Sequence, residues 1–210
     1  MRAVVCVASV AALSGAATAE MTVFENRADF AAQIQIDMSE SFETLTADRA
    51  LIYQEFNLPG VRVTSAGMMG VFNSPTGGHH ATSGTQHIAV SGGQGAPGVI
   101  QFDLAEPTTA FGIDITDFGD RNPGQLRFWV DFGEGNTPMV VVDATPLRPD
   151  AEEIFIGFAQ TTPFNRIFIE STAPADGFGF DSLTLGNTIP APASAGLLAL
   201  GGLALARRRR

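Results

Sequence analysis

Glu43 alternates in phase with Leu45, and Asp181 with Leu183 and Leu185, so in an extended chain each carboxylate shares a face with apolar residues. If that face is buried, Asp181 needs a partner, because an unpaired buried charge costs several kcal/mol. If Phe178 and Phe180 point inward instead, both carboxylates are solvated. Trp129 stands in phase with Arg127 and Asp131 and opposite Phe128 and Val130. On an open sheet face these three would form a platform for a sugar ring, the indole stacking and the charged pair hydrogen-bonding. Under a covering loop, Trp129 is ordinary packing. His79, His80 and His87 are all the histidines of the chain, and Gly77, Gly78 and Gly84 make their segment a loop. A zinc enzyme needs imidazoles held by outer partners, and no HExxH or related spacing occurs here. Asp114, Asp117 and Asp120 lack the alternate oxygens and closing glutamate of an EF-hand loop, and the last two read as turn residues. There is no G-x-S-x-G elbow, and a phosphate loop needs a lysine that the chain does not contain. The sequence carries no catalytic motif.

The elements that must position these groups are strands. Phe is abundant, Gly and Pro punctuate the chain every ten residues or so, and apolar residues alternate with polar ones. Ile100, Phe102 and Leu104 alternate with Gln101 and Asp103; Phe111, Ile113 and Ile115 follow in the same way, and Leu126, Phe128 and Val130 share one face of the next strand. Strands are predicted over residues 38–45, 61–65, 68–72, 86–90, 99–104, 111–115, 126–132, 139–143, 153–158, 164–170 and 178–185. Helical spacing appears once, over residues 26–35, where Asn26 can cap and Phe30 and Ile34 form an i, i+4 pair. Its expected role is to plug one end of the fold. The fold class is therefore all-β, a sandwich of two sheets with one short N-terminal helix, spanning residues 20–187 as one domain.

Both ends are of different composition. Residues 1–19 read as a signal peptide: Arg2, an apolar stretch, then Ala17 and Ala19 at the positions a signal peptidase reads, with cleavage before Glu20. The only cysteine, Cys6, leaves with it, so the remaining chain forms no disulfide or thiolate site. Residues 188–210 read as a sorting segment. Pro190-Ala191-Pro192 precedes an apolar run over residues 193–206, and Arg207, Arg208, Arg209 and Arg210 close it. As a helix the run would span about 21 Å, short of the roughly 30 Å of a bilayer's hydrocarbon core, which suits transient insertion with the arginines held on the cytoplasmic side. Without the two ends, seven arginines face twenty-two acidic residues, a net charge of −15. Such a body repels phosphate backbones and makes nucleic acid a poor partner; it suits divalent cations, neutral glycans or simply solubility.

The Pro-Ala-Pro, apolar run and arginine cluster resemble the PEP-CTERM sorting signal of exopolysaccharide-secreting bacteria, with Ala191 where that family carries glutamate. The resemblance implies an exosortase-type membrane protease as processing partner. A second resemblance rests on Thr22-Val23-Phe24, Arg27, Phe30, Ser41-Phe42-Glu43, Leu58-Pro59-Gly60-Val61, Ala110-Phe111-Gly112 and the closing Gly177-Phe178-Gly179-Phe180-Asp181-Ser182-Leu183. These look like the exported jelly-roll domains that precede such tails, similar in outline to calcium-containing carbohydrate-binding modules. The resemblance implies a jelly-roll, first and last strands lying close, and a structural calcium held there, for which Glu43 and Asp181 are the candidate ligands. The resulting expectation is an exported protein of the cell surface or extracellular matrix, a non-catalytic binding or structural module associated with exopolysaccharide or another glycan. A secreted hydrolase or lyase acting on polysaccharide is the alternative.

Overall fold

The computed structural model describes residues 21–47, 53–75, 77–91, 98–131, 140–144, 147–173 and 176–189. The predicted signal peptide with Ala17 and Ala19, and the sorting segment with Pro190, Pro192, Arg207, Arg208, Arg209 and Arg210, lie outside them. No helix among the described residues is long and apolar enough to cross a membrane. The elements are β1 (Met21–Phe24), α1 (Arg27–Gln33), β2 (Ile34–Glu40), β3 (Tyr53–Leu58), β4 (Val61–Phe72), β5 (His87–Ser91), β6 (Gly98–Thr116), β7 (Gln125–Val130), β8 (Val140–Asp143), β9 (Glu153–Ser171) and β10 (Gly177–Thr188).

The architecture is a two-layer jelly-roll sandwich, but its layers share strands. β6 and β9 are each 19 residues long, about 63 Å if straight, which is too long for one layer of a small domain. Each therefore bends and serves both layers. Residues 98–103 of β6 pair with β4 and with the second half of β9, whereas residues 110–116 pair with β10 and with the first half of β9. The register breaks between Asp103 and Ala110, where Pro107 on one strand and Pro163 on the other remove ladder donors. One layer runs β3-β4-β6-β9-β7-β8. In the other, β10 lies between β6 and, end to end, β2 and β5, while β1 closes the far edge on β9.

Several predicted boundaries change for identifiable reasons. Segments predicted as separate strands at 99–104 and 111–115, at 153–158 and 164–170, and at 61–65 and 68–72 are single strands that cross between layers. The first predicted strand stops at Glu40 rather than Leu45, because the Glu40 carboxylate accepts the Phe42 N–H at 2.7 Å and Phe42 turns into the left-handed region at φ 60°. β3 lies between the strands predicted at 38–45 and 61–65, and its Phe56 and Leu58 are buried.

Between the layers the rings interlock: Phe102 meets Phe111 and Phe180 at 5.6 and 5.8 Å, Phe180 meets Phe42 at 5.6 Å, and Phe111 stacks on Phe158 at 5.4 Å. The helix sits outside this core. Asn26 caps it, accepting the N–H groups of Ala28 and Asp29, and Phe30 forms a second cluster with Ile34, Ala110, Phe155 and Ala159. Its floor is the cross-strand pair Gly112 and Gly157, where an added Cβ would come within 2.8 Å of the Phe30 ring. The helix therefore covers a sheet face kept bare by small residues rather than plugging an end. Phe30→Ala is expected to lower stability by about 3–5 kcal/mol. Gly157→Ala should cost less in that background than in the parent chain, because one of its two clashing rings is gone; equal costs in urea denaturation would show that the rings do not rest on that floor.

Candidate functional site

The loop between β4 and β5 carries the histidines and is held by the two carboxylates singled out from the sequence. Asp181 is fully buried, and its Oδ2 accepts from the backbone N–H groups of Thr82 and Ser83 at 2.9 and 2.8 Å and from both of their hydroxyls, while Oδ1 accepts the Ser182 N–H at 2.6 Å. Glu43, exposed, accepts the N–H groups of Thr85 and Gln86 at 2.7 and 2.6 Å and the Thr85 hydroxyl at 3.0 Å. The backbone donors from Gln86 and Thr85 hold Glu43 below the usual carboxylate range, and burial pushes Asp181 up despite its donors. Both side chains thus grip one loop at points two residues apart. N–H hydrogens aimed at an oxygen repel a cation, so this donor set does not fit the calcium that the resemblance implies for the pair.

Asp114 lies directly opposite Asp181 in the β6–β10 ladder. It is relieved differently, by Arg27 at 2.8 Å and the Thr82 hydroxyl at 2.7 Å. Arg27 also donates to the Ser182 carbonyl and the Thr184 hydroxyl and covers the Phe155 ring at 4.6 Å. The start of the helix, the 82–83 loop and the last strand are therefore joined by one buried polar network.

His79, His80 and His87 do not assemble into a ligand set among the described residues. His79 Nδ1 lies 3.3 Å from Asp117 and His80 Nδ1 lies 3.0 Å from the Gly78 carbonyl. His87 is fully buried, neither ring nitrogen has a partner, and the ring stacks on Phe72 at 5.9 Å.

The outer face of the layer containing β7 is built by alternation. Leu126, Phe128 and Val130 of β7, Ile167 and Ile169 of β9, and Ile100 and Phe102 of β6 point into the core. Their neighbours face out in three rows set by the register. Gln101, Phe168 and Trp129 form the middle row, Glu170 and Arg127 one flank, and Asp103, Arg166 and Asp131 the other. Trp129 stacks on Phe168 with ring centroids 5.5 Å apart and planes 17° from parallel. Arg166 donates to Asp103 at 2.7 Å and Asp131 at 3.1 Å; Arg127 donates to Gln125 at 2.8 and 3.0 Å and lies 3.7 Å from Glu170. Burial alone would raise Asp103, but Arg166 and Gln101 hold it below the usual range.

Trp129, Arg127 and Asp131 do share this face, but they do not form an open platform of three. Trp129 is only 8% exposed, not open, and Phe168 beside it is the more accessible ring. Arg127 and Asp131 do not pair along the strand; each takes partners elsewhere, Asp131 pairing with Arg166. Phe168, Arg166 and Asp103 were missed because they reach the site across strands, and sequence spacing contains no sign of that register. The indole Nε1 of Trp129 is buried without an acceptor.

The protein is an all-β jelly-roll with an aromatic and charged sheet face. No family model matches the sequence, and no curated protein matches it. Among solved structures, the chain is similar to the K2 cleaved adhesin domain of Lys-gingipain, at 11% identity and a TM-score of 0.49, over 70% of this chain and 96% of that one. It is also similar to the C-terminal family 22 carbohydrate-binding module of Clostridium thermocellum Xyn10B, at 14% identity and a TM-score of 0.45, over 72% and 92%. TmCBM61, solved with β-1,4-galactotriose, gives 14% identity and a TM-score of 0.41 over 70% and 93%.

Burial lowers the pKa of His87 from 6.5 to about 4, with the charges of His79 and His80 acting in the same direction. The unfolded chain therefore takes up a proton between those values that the fold refuses, and stability falls as pH drops through that window. His87→Phe keeps the stack on Phe72 and should flatten the slope of stability against pH between about 6.5 and 4 by roughly one proton. An unchanged slope in urea unfolding would mean that His87 does not titrate as its burial requires.

Proposed function

We propose that the protein is an exported, non-catalytic glycan-binding module that uses the outer face of the β6-β9-β7 layer. The observation that carries this reading is the Phe168–Trp129 stack set between two rows of hydrogen-bonding charges. A pyranose presents C–H groups on one face and hydroxyls around its rim. The first stack on an aromatic ring, and the second are answered by planar guanidinium donors and carboxylate acceptors. Phe168 is the ring a sugar meets, and Trp129 backs it. Export by the N-terminal segment with cleavage after Ala19, PEP-CTERM-type sorting through Pro190, Pro192 and Arg207 to Arg210 by an exosortase-type protease, and association with exopolysaccharide at the cell surface or in the matrix belong to the same reading. They rest on the sequence of the two ends.

The test is a glycan array followed by titration of the best binder. Neutral saccharides should outrank uronate or sulfated ones, because the body carries a large acidic excess. Phe168→Ala should weaken binding by roughly tenfold or more, about 1.4 kcal/mol, with the far-ultraviolet dichroism unchanged, and Arg166→Gln should do the same. No glycan bound by the parent chain, or full affinity in Phe168→Ala, would defeat the proposal.

A further inference from the structure

At one end of the sandwich, three loops bring four aspartates together. Asp117 and Asp120 follow β6, Asp150 precedes β9, and Asp176 precedes β10. Carboxylate oxygens of Asp117, Asp120 and Asp150 lie within 4.8 Å of one another. All three can therefore reach one cation, since opposite oxygens of a calcium coordination sphere are about 4.6–5.2 Å apart. The positions are fixed by backbone: Asp117 sits at φ 63° and Gly119 at φ 77°, and the Ala151 N–H donates to Asp117 Oδ1 at 2.9 Å. An added Cβ on Gly78 would collide with the Asp117 carboxylate, so the histidine loop closes tightly over it.

A second observation comes from outside that trio. Asp176 is 2% exposed, its carboxyl stands within hydrogen-bonding reach of Asp120, and its Oδ2 has no donor at all. The Asp120 Oδ1 facing this region is likewise buried without a donor. Two carboxylates that meet with no N–H or O–H between them need a proton or a cation. Nearby positive charge does not supply it. The closest approach of Arg121 to Asp120 is 3.8 Å, from a largely exposed side chain. The contrast with Asp181 lies in single oxygens: five donors answer both oxygens of that carboxylate, whereas Asp176 takes backbone N–H groups from Asn122 and Gly119 and still leaves its Oδ2, like the Asp120 Oδ1, without a donor.

We propose that Asp117, Asp120, Asp150 and Asp176 bind a calcium ion that ties the ends of β6, β9 and β10 together. The donor set is oxygen only and carries four formal negative charges, which favours a hard divalent cation; water would complete the six to eight ligands that calcium takes.

The test is calorimetric titration of the purified full chain with calcium chloride, with thermal melting in calcium chloride and in EDTA. One site is expected, with a Kd of about 0.1–1 mM as in extracellular calcium modules, and melting should be higher in calcium. Asp120→Asn should weaken binding by roughly tenfold or more. Asp150→Asn changes an exposed side chain that leaves the fold intact, and it should do likewise. Absence of heat together with identical melting in calcium and EDTA overturns the proposal. So does undiminished binding in both Asp120→Asn and Asp150→Asn, binding lost in Glu43→Gln but kept in Asp150→Asn, or binding of zinc chloride with none of calcium chloride.

Discussion

The antiparallel pairing of β6 with β9 is the constraint from which the rest of this molecule follows. These strands run beside each other through both layers, and one register governs thirteen cross-strand pairs, six before the bend and seven after it. Side chains alternate with a period of two, and a slip of one residue would turn Phe102, Phe111, Ile167 and Ile169 outward together. The cost of exposing that many rings and branched chains, roughly 1.5–3 kcal/mol each, holds the register far more firmly than any single hydrogen bond could. The bend at Pro107 and Pro163 then lets the same pair of strands line the core from both sides. It also determines the two outer faces: one bare enough, at Gly112 and Gly157, to seat a helix, and one left with Phe168, Trp129 and their charged flanks.

Negative charge is handled in three ways within this frame. Asp181 lies where a loop turns its N–H groups inward, and the backbone answers it. Asp114, its ladder neighbour, is answered by Arg27, which the helix start delivers across the small-residue face. Asp120 and Asp176 are buried with oxygens that nothing in the described chain answers. The difference is topological. Asp114 and Asp181 face each other on adjacent strands, where Thr82 reaches both, Ser83 reaches Asp181 and Arg27 reaches Asp114. The last two sit on loops that converge from different strand ends, and the N–H groups of Gly119 and Asn122 that reach Asp176 leave its Oδ2 and the Asp120 Oδ1 unanswered.

The sequence made the strands legible because most have one buried face, and alternation records that directly. Trp129, Arg127 and Asp131 could be placed on one outward face for the same reason. Alternation is silent on three matters. It does not tell whether two apolar runs separated by a proline are two strands or one bent strand, which is why 99–104 and 111–115 read as separate. It does not give register, so Phe168 and Arg166 could not be joined to Trp129. And it cannot distinguish a carboxylate awaiting a cation from one already held by N–H groups, since the donors of Asp181 and Glu43 come from a glycine-rich loop whose path only tertiary packing sets. Asp117 and Asp120 looked like turn residues, and their backbone does turn; Asp150 and Asp176, thirty and fifty-six positions beyond Asp120, have no sequence relation to them.

The acidity of the body and the chemistry of the aromatic face are best understood together. On that face two guanidinium groups, of Arg127 and Arg166, stand against three carboxylates, of Asp103, Asp131 and Glu170. The local balance is close to neutral, although the chain between its ends carries −15. The acidic excess therefore lies elsewhere, and part of it gathers at the loop end with Asp117, Asp120, Asp150 and Asp176. A charge-balanced face beside stacked rings exposes donors and acceptors already aligned by their partners, so a neutral polyol can exchange hydrogen bonds with it without uncovering an isolated charge. An anionic polymer would gain little from two arginines already engaged by carboxylates while it approached a strongly negative body. The same pairing that stiffens Arg166 between Asp103 and Asp131 thus sets both the geometry of the face and the kind of ligand it can accept.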